Sequence, residues 1–353
     1  MNMTRKWIFF TLCVLCSLPI KSQNQQNVVE NYWNYHDLIG KAEIAFYLNN
    51  DIDSCLYYYN QAFNTFDFNY VHDLVNAAQI ACFSEKEYKS FIYKGLHYGL
   101  KSSHLKQIPI ITEIIQEIED FEKTTEYKVI RQNYLSGLNF DYLSWIYDLG
   151  IEDQIAKNKA EYDVFTLNYI NKLIEKIKEY GFPSNRVIGI ECSTVFSEAK
   201  RDETDLARRI VPYPRLSYFI TDDAILSNHF IMVLLHHRDC SYTELKNIML
   251  EEISKGNLHP REFGFIYDRQ SQAAMEIWNK LHSNCPILIK EDGVFRIGGV
   301  LLSSDIDKIE CSQGKVNALR AKYNIGPLEV DEMKKSFEKD HGFKLFWGFW
   351  DCL

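Results

Sequence analysis

Between Val28 and about Leu100, apolar residues recur at helical spacing, and the pattern comes twice. Ile44-Ala45-Phe46-Tyr47-Leu48, a polar turn at Asn49-Asn50-Asp51, then Cys55 to Phe63 predict one helix pair. Ala77-Ala78-Gln79-Ile80-Ala81, a turn at Ser84-Glu85, then Tyr88 to Leu96 predict a second. At a constant offset of 33, Ala45 falls on Ala78, Ala62 on Gly95 and Phe63 on Leu96. Small residues at such positions let paired helices approach closely, while the aromatics fill the groove between pairs. Leu105, Ile108, Ile111, Ile115 and Ile118 predict one further amphipathic helix with Pro109 near its start.

The period and the small-residue positions resemble tetratricopeptide repeats, in two degenerate copies. Repeat stacks need about three units for stability, so adjoining helices must complete this one. The charged run Glu119 to Thr125 reads as a hinge. Beyond it, Tyr169, Ile170, Leu173, Ile174, Ile177 and Tyr180 keep helical spacing up to a stop at Gly181 and Pro183. Leu245 to Ile253 predicts a helix capped by Gly256. Val195 to Asn228, with charged Glu198 to Arg209 and Pro212 and Pro214, reads as an inserted surface excursion. Ile287 to Lys290 and Val294 to Ile297 flank Asp292-Gly293, a two-residue hairpin signal. The aromatic tail Phe343 to Trp350 is expected to pack back onto the second domain. The expected fold is mainly α: a tetratricopeptide-like helical stack over residues 28–120, then an α-rich domain over 126–353 carrying one small β-hairpin.

Composition changes the picture at the N-terminus. Arg5 and Lys6 precede an apolar run, Trp7 to Ile20, that is shorter than the roughly 20 residues a membrane span needs. This predicts a signal peptide over residues 1–22, export to the periplasm or the outer side of a bacterial envelope, and no stable membrane span after cleavage. Losing the three cations Arg5, Lys6 and Lys21 takes the formal charge from −9 to −12. So acidic a chain argues against nucleic acid as a partner, since phosphate needs lysine and arginine. Seven cysteines then remain, from Cys55 to Cys352, without close pairing and without a CxxC, so neither a disulfide framework nor zinc is indicated. No phosphate-binding glycine loop, dinucleotide fingerprint or Gly-x-Ser-x-Gly elbow is present, and the expectation is no cofactor and no metal.

Candidate chemistry gathers at His236-His237-Arg238-Asp239, which closes the apolar run Ile225 to Leu235, and at Asp268-Arg269. Charge set against apolar surface is costly unless paired or used. In one reading, His237 is a general base oriented by Asp239, with Asp268 in support and Arg269 holding an anion, as in a hydrolase. In the other, His237, Asp239, Asp268 and Arg269 are a buried network that locks helices together. The leading functional expectation is a binding or scaffolding protein of the cell envelope, with a protein or peptide partner taken on the helical-repeat surface.

From about Asp153 to Phe337 the chain resembles a bacterial family known as domain-of-unknown-function family 6624. The likeness rests on Asp153-Gln154, Gly181-Phe182-Pro183, Ile188-Gly189, His237 with Asp239, Gly256, Asp268-Arg269, Arg320 and Ile325-Gly326-Pro327-Leu328. Phe182 and His236 stand where that family has Trp and Gln, and its Tyr-Gly-Thr-Gln segment has no counterpart here. The resemblance implies no particular activity.

Overall fold

The computed structural model describes residues 31–156, 160–190, 194–201, 241–275, 294, 297 and 313–345. Helices make up 74% of this part, and no strand occurs among the described residues, so the fold is mainly α. The expected hairpin at 287–297 lies almost wholly outside the described residues, as do the expected signal peptide and the part of the excursion from 202 onward. None of the described helices is long and apolar enough to cross a membrane.

The two N-terminal helix pairs form where the pattern places them. They are α1 (Tyr32–Tyr47) with α2 (Ile52–Thr65), and α3 (Val71–Phe83) with α4 (Lys89–Leu96). Asn31 caps α1 by accepting from Trp33 N at 3.1 Å, and Asp51 caps α2 by accepting from Ser54 N at 3.0 Å. The 33-residue equivalences fall in the core: Ala45, Ala78, Ala62, Phe63, Gly95 and Leu96 are all buried. Helix α3 is the centre of this half, since every residue from Val71 to Ala81 is buried.

The single helix expected over 105–118 is broken instead. It becomes α5 (Ser102–Leu105), a 3-10 turn (Pro109–Ile114) and α6 (Ile115–Phe121). Pro109 is the cause: its ring pushes Ile108 out of the helical region, to φ −113° and ψ 93°. The apolar face survives the break, because Leu105, Ile108, Ile111 and Ile118 are all buried.

Next come α7 (Thr125–Ser136), α8 (Phe140–Ala156), α9 (Tyr162–Tyr180), α10 (Asn185–Ile188) and α11 (Val195–Glu198). Glu198, expected on a surface excursion, is instead a clamp: Lys101 Nζ lies 2.7 Å and Arg131 Nε 2.6 Å from its carboxylate. The remaining described helices are α12 (Ser241–Ser254), α13 (Pro260–Met275), α14 (Gln313–Lys322) and α15 (Leu328–His341). Helix α9 ends at Gly181, with φ +86°, as its sequence predicts. Gly256, at φ +77°, follows α12 against the Tyr32 ring, where an added Cβ would come within 2.7 Å of ring carbons. A larger residue there would push α1 away from α12.

The described residues cluster as one compact unit. Inside it lie two hydrophobic clusters, one centred on α1 to α6 and one on α8, α9, α12 and α13. The first also takes in Val330, Phe343 and Leu345 from the far end of the chain. The described start of the aromatic tail, Phe343 to Leu345, therefore packs on the N-terminal stack and not on the half that precedes it. Phe343 lies 5.6 Å from Phe83 between ring centroids, and Phe337 lies 5.2 Å from Phe46.

Candidate functional site

Polar side chains from both ends of the chain meet in one buried nest. Helix α1 contributes His36 and Glu43, seven residues apart and so on one face, with Ile39 and Gly40 between them. The first turn of α3 contributes His72 and Asp73. Pro260 opens α13, its fixed φ suiting the first helical position, and this places His259 at the N-cap. Glu262 accepts from His259 N at 3.2 Å, while His259 Nδ1 accepts from Arg261 N at 3.2 Å, so the local sequence fixes both His259 and Arg261. Helix α14 adds Arg320, and α15 adds Asp331 and Lys334.

The charged part of the nest is fully paired. Arg261 Nη2 lies 2.8 Å from Asp331 Oδ1 and 3.5 Å from Glu43 Oε2. Arg320 Nη2 donates to Asp331 Oδ2 at 2.5 Å, its Nε donates to Gly326 O at 2.5 Å, and Lys334 Nζ pairs with Glu43 Oε1. Burial opposes charge on Arg261, but Asp331 and Glu43 hold its pKa above the usual range. Burial also opposes charge on Asp331, and Arg261 and Arg320 keep that carboxyl below its usual range. Lys334 is pushed down by burial, against the pull of Glu43.

The other part is made of imidazoles around a carboxylate. His72 Nε2 and His259 Nε2 each lie 3.8 Å from Asp73 Oδ1, and Asp73 Oδ2 accepts from Tyr35 Oη at 2.9 Å. The His259 ring stands edge-on to His36 at 4.8 Å and to His72 at 4.9 Å between centroids. Burial pushes the His36 pKa down to about 3, and holds His72 and His259 well below the ordinary value. All three rings are therefore uncharged at neutral pH. Asp73 is raised to about 8, first by burial and then by the negative charge of Glu43. Neither ring nitrogen of His36 has a hydrogen-bond partner, although the residue is only 2% exposed. A cavity runs alongside, lined by His36, Gly40, Glu43, Asp73, His259 and Arg261 among others; about 300 Å³ of it is unfilled by atoms, some of that open solvent.

Of the four residues singled out from the sequence, Asp268 alone is described with its side chain. Asp268, on α13, is fully buried and accepts from Ile297 N at 2.5 Å, while its neighbour Tyr267 donates to Val294 O at 2.5 Å. Asp268 thus helps to fasten α13 to residues 294 and 297. His237, Asp239 and the side chain of Arg269 lie outside the described residues. Arg320 and Gly326, marked only by the family resemblance, sit in the nest. The residues missed were His36, Glu43, His72, Asp73, His259 and Arg261.

A second feature lies about two turns further along α3. After α15 the chain leaves the helix, with Phe343 and Leu345 buried and Lys344 between them exposed. The Gln79 side chain reads the Lys344 backbone in both directions: Nε2 donates to Lys344 O and Oε1 accepts from Lys344 N, each at 2.6 Å. Alternate burial with paired backbone bonds is the way a receptor takes an extended peptide. Comparison with protein-family models, curated proteins and solved structures finds no match to this chain.

Proposed function

We propose that this is an exported binding protein whose N-terminal helix pairs take extended segments of a protein partner. The observation that carries the reading is the bidentate hold of Gln79 on the Lys344 backbone, between the buried side chains of Phe343 and Leu345. The stack fills that place with its own C-terminal segment, and the chemistry suits any extended chain with apolar residues at alternate positions. The basic head and short apolar run ahead of residue 22 support export, which would put the partner outside the cytoplasm.

The test uses a chain lacking residues 342–353, checked for helicity, and a fluorescein-labelled peptide of sequence His-Gly-Phe-Lys-Leu-Phe-Trp, residues 341–347. Saturable binding is expected, weakened about tenfold by Gln79→Ala, as loss of a hydrogen bond worth about 1.4 kcal/mol would give. If truncation unfolds the chain, the full-length Phe343→Ala, Leu345→Ala variant takes its place. No binding to a folded receptor, or equal binding by Gln79→Ala, would sink the reading.

A further inference from the structure

Of the three carboxylates Glu43, Asp73 and Asp331, two are neutralised by arginine or lysine at short range. Asp73 instead faces imidazoles, and its Oδ2 accepts a hydrogen bond from Tyr35. We propose that His72, Asp73 and His259 form a binding site for one divalent transition-metal ion of the zinc type, with His36 as the adjoining fourth donor. This goes beyond peptide binding and stands independently of it.

Four observations carry the site. One ligand atom from each of His72, Asp73 and His259 lies within 4.8 Å of the others, and all three residues are buried. The donor set, imidazole nitrogens with one carboxylate oxygen and no thiolate, suits zinc and its first-row neighbours rather than calcium or magnesium. At bonds of about 2.0–2.1 Å, a tetrahedral site has donor–donor edges of about 3.3–3.4 Å. The two nitrogen–oxygen separations of 3.8 Å need to close by only a few tenths of an ångström. Finally, His36 is buried on the cavity wall with both ring nitrogens unbonded, beside the path an ion would take inward.

Binding balances through protons. His259 Nδ1 accepts from Arg261 N–H, so a neutral His259 carries its single proton on Nε2; ligation through Nε2 as a neutral ring moves that proton by way of solvent to Nδ1, where it displaces the Arg261 N–H. Asp73 enters as the carboxylate, held from its other oxygen by the Tyr35 hydroxyl, as the outer partner of a ligand commonly does.

The experiment strips the purified chain with a chelator, incubates it with zinc chloride, removes free ion by gel filtration and measures retained zinc by mass spectrometry. About one zinc per chain is expected, together with a rise in melting temperature and, with cobalt(II) chloride, visible d–d bands of a nitrogen- and oxygen-bound ion. Asp73→Asn and His72→Gln should each retain roughly tenfold less or weaker still. Wild-type chain that keeps no zinc and shows no thermal shift would overturn the proposal, and so would folded variants that keep as much as wild type. Where a variant fails to fold, the wild-type zinc content and thermal shift decide alone.

Discussion

The buried nest has two sides built on opposite principles. On one, Glu43, Arg261, Arg320, Asp331 and Lys334 carry full charges and each meets an opposite charge. On the other, His36, His72 and His259 are kept neutral by burial around a carboxyl that burial pushes toward its neutral form. Both sides join α1 to residues more than two hundred positions away in sequence, so position in the fold does not separate them. What separates them is charge pairing. Every charged residue of the first side meets an opposite charge, although Arg320 Nη1 and Asp331 Oδ1 have no hydrogen-bond partner; the imidazole side includes a ring with both nitrogens unbonded, which makes it able to receive something.

Breaking the lock should cost most. Glu43→Ala leaves Lys334, which is fully buried, without its ion-pair partner and removes one of the two carboxylates on Arg261. Truncating one member of a buried pair typically costs about 3–5 kcal/mol, because the remaining charge is left uncompensated. Urea denaturation should show a loss of that size, and Glu43→Ala combined with Lys334→Met should recover part of it. A loss below about 1 kcal/mol would mean that water reaches Lys334 and that this side is no lock.

The imidazole side should show itself through pH. The folded His36, His72 and His259 resist protonation that the unfolded chain accepts near 6.5, so their contribution is present above that pH and lost as pH falls. Asp73 acts in the opposite direction. Its raised pKa contributes stability below about 4 that is lost as pH rises through about 8. Between roughly pH 4 and 6.5 the three rings outweigh the one carboxyl by two protons, so stability should rise with pH by about 2–3 kcal/mol per unit at most. Above that, Asp73 alone sets a shallow fall, and the maximum should lie near pH 6.5–7. Melting curves that keep rising from pH 6.5 to 8 would show Asp73 to be ionised in the folded chain.

The stack was readable because its signal is local and repeated: the turns at 49–51 and 84–85 and the small residues 33 apart each act within one helix pair. The nest was not, because apart from Arg320 with Asp331 its charge pairings are remote in sequence; Glu43 and Lys334, for example, are 291 residues apart. One trace was available within α3. His72, Asp73, Asn76 and Gln79 sit in an otherwise apolar helix, and a helix apolar on every face must bury whatever polar groups it carries. Asp268 was singled out by the same kind of argument, yet it serves the backbone of Ile297. Cost of burial therefore identifies residues that must be satisfied; whether the partner is the protein itself or a ligand depends on the neighbours that folding supplies. The broken helix at 105–118 has a more elementary origin, since Pro109 was read as a helix start without its effect on Ile108.

The smallest effect should come from His36, and it sharpens the contrast most. His36→Leu removes two ring nitrogens that bond to nothing and substitutes an apolar chain of similar bulk against Tyr35 and Tyr70. A buried polar group without a partner adds desolvation cost and little bonding, so its apolar replacement should change stability by less than about 1.5 kcal/mol and could raise it. Urea midpoints of His36→Leu and Glu43→Ala measured side by side would then differ by several-fold in free energy, although the two residues share one face of α1. Comparable losses would mean that His36 holds the fold together just as Glu43 does. The distinction between a charge-paired side and a receptive side of the nest would then fail at the residue on which it rests.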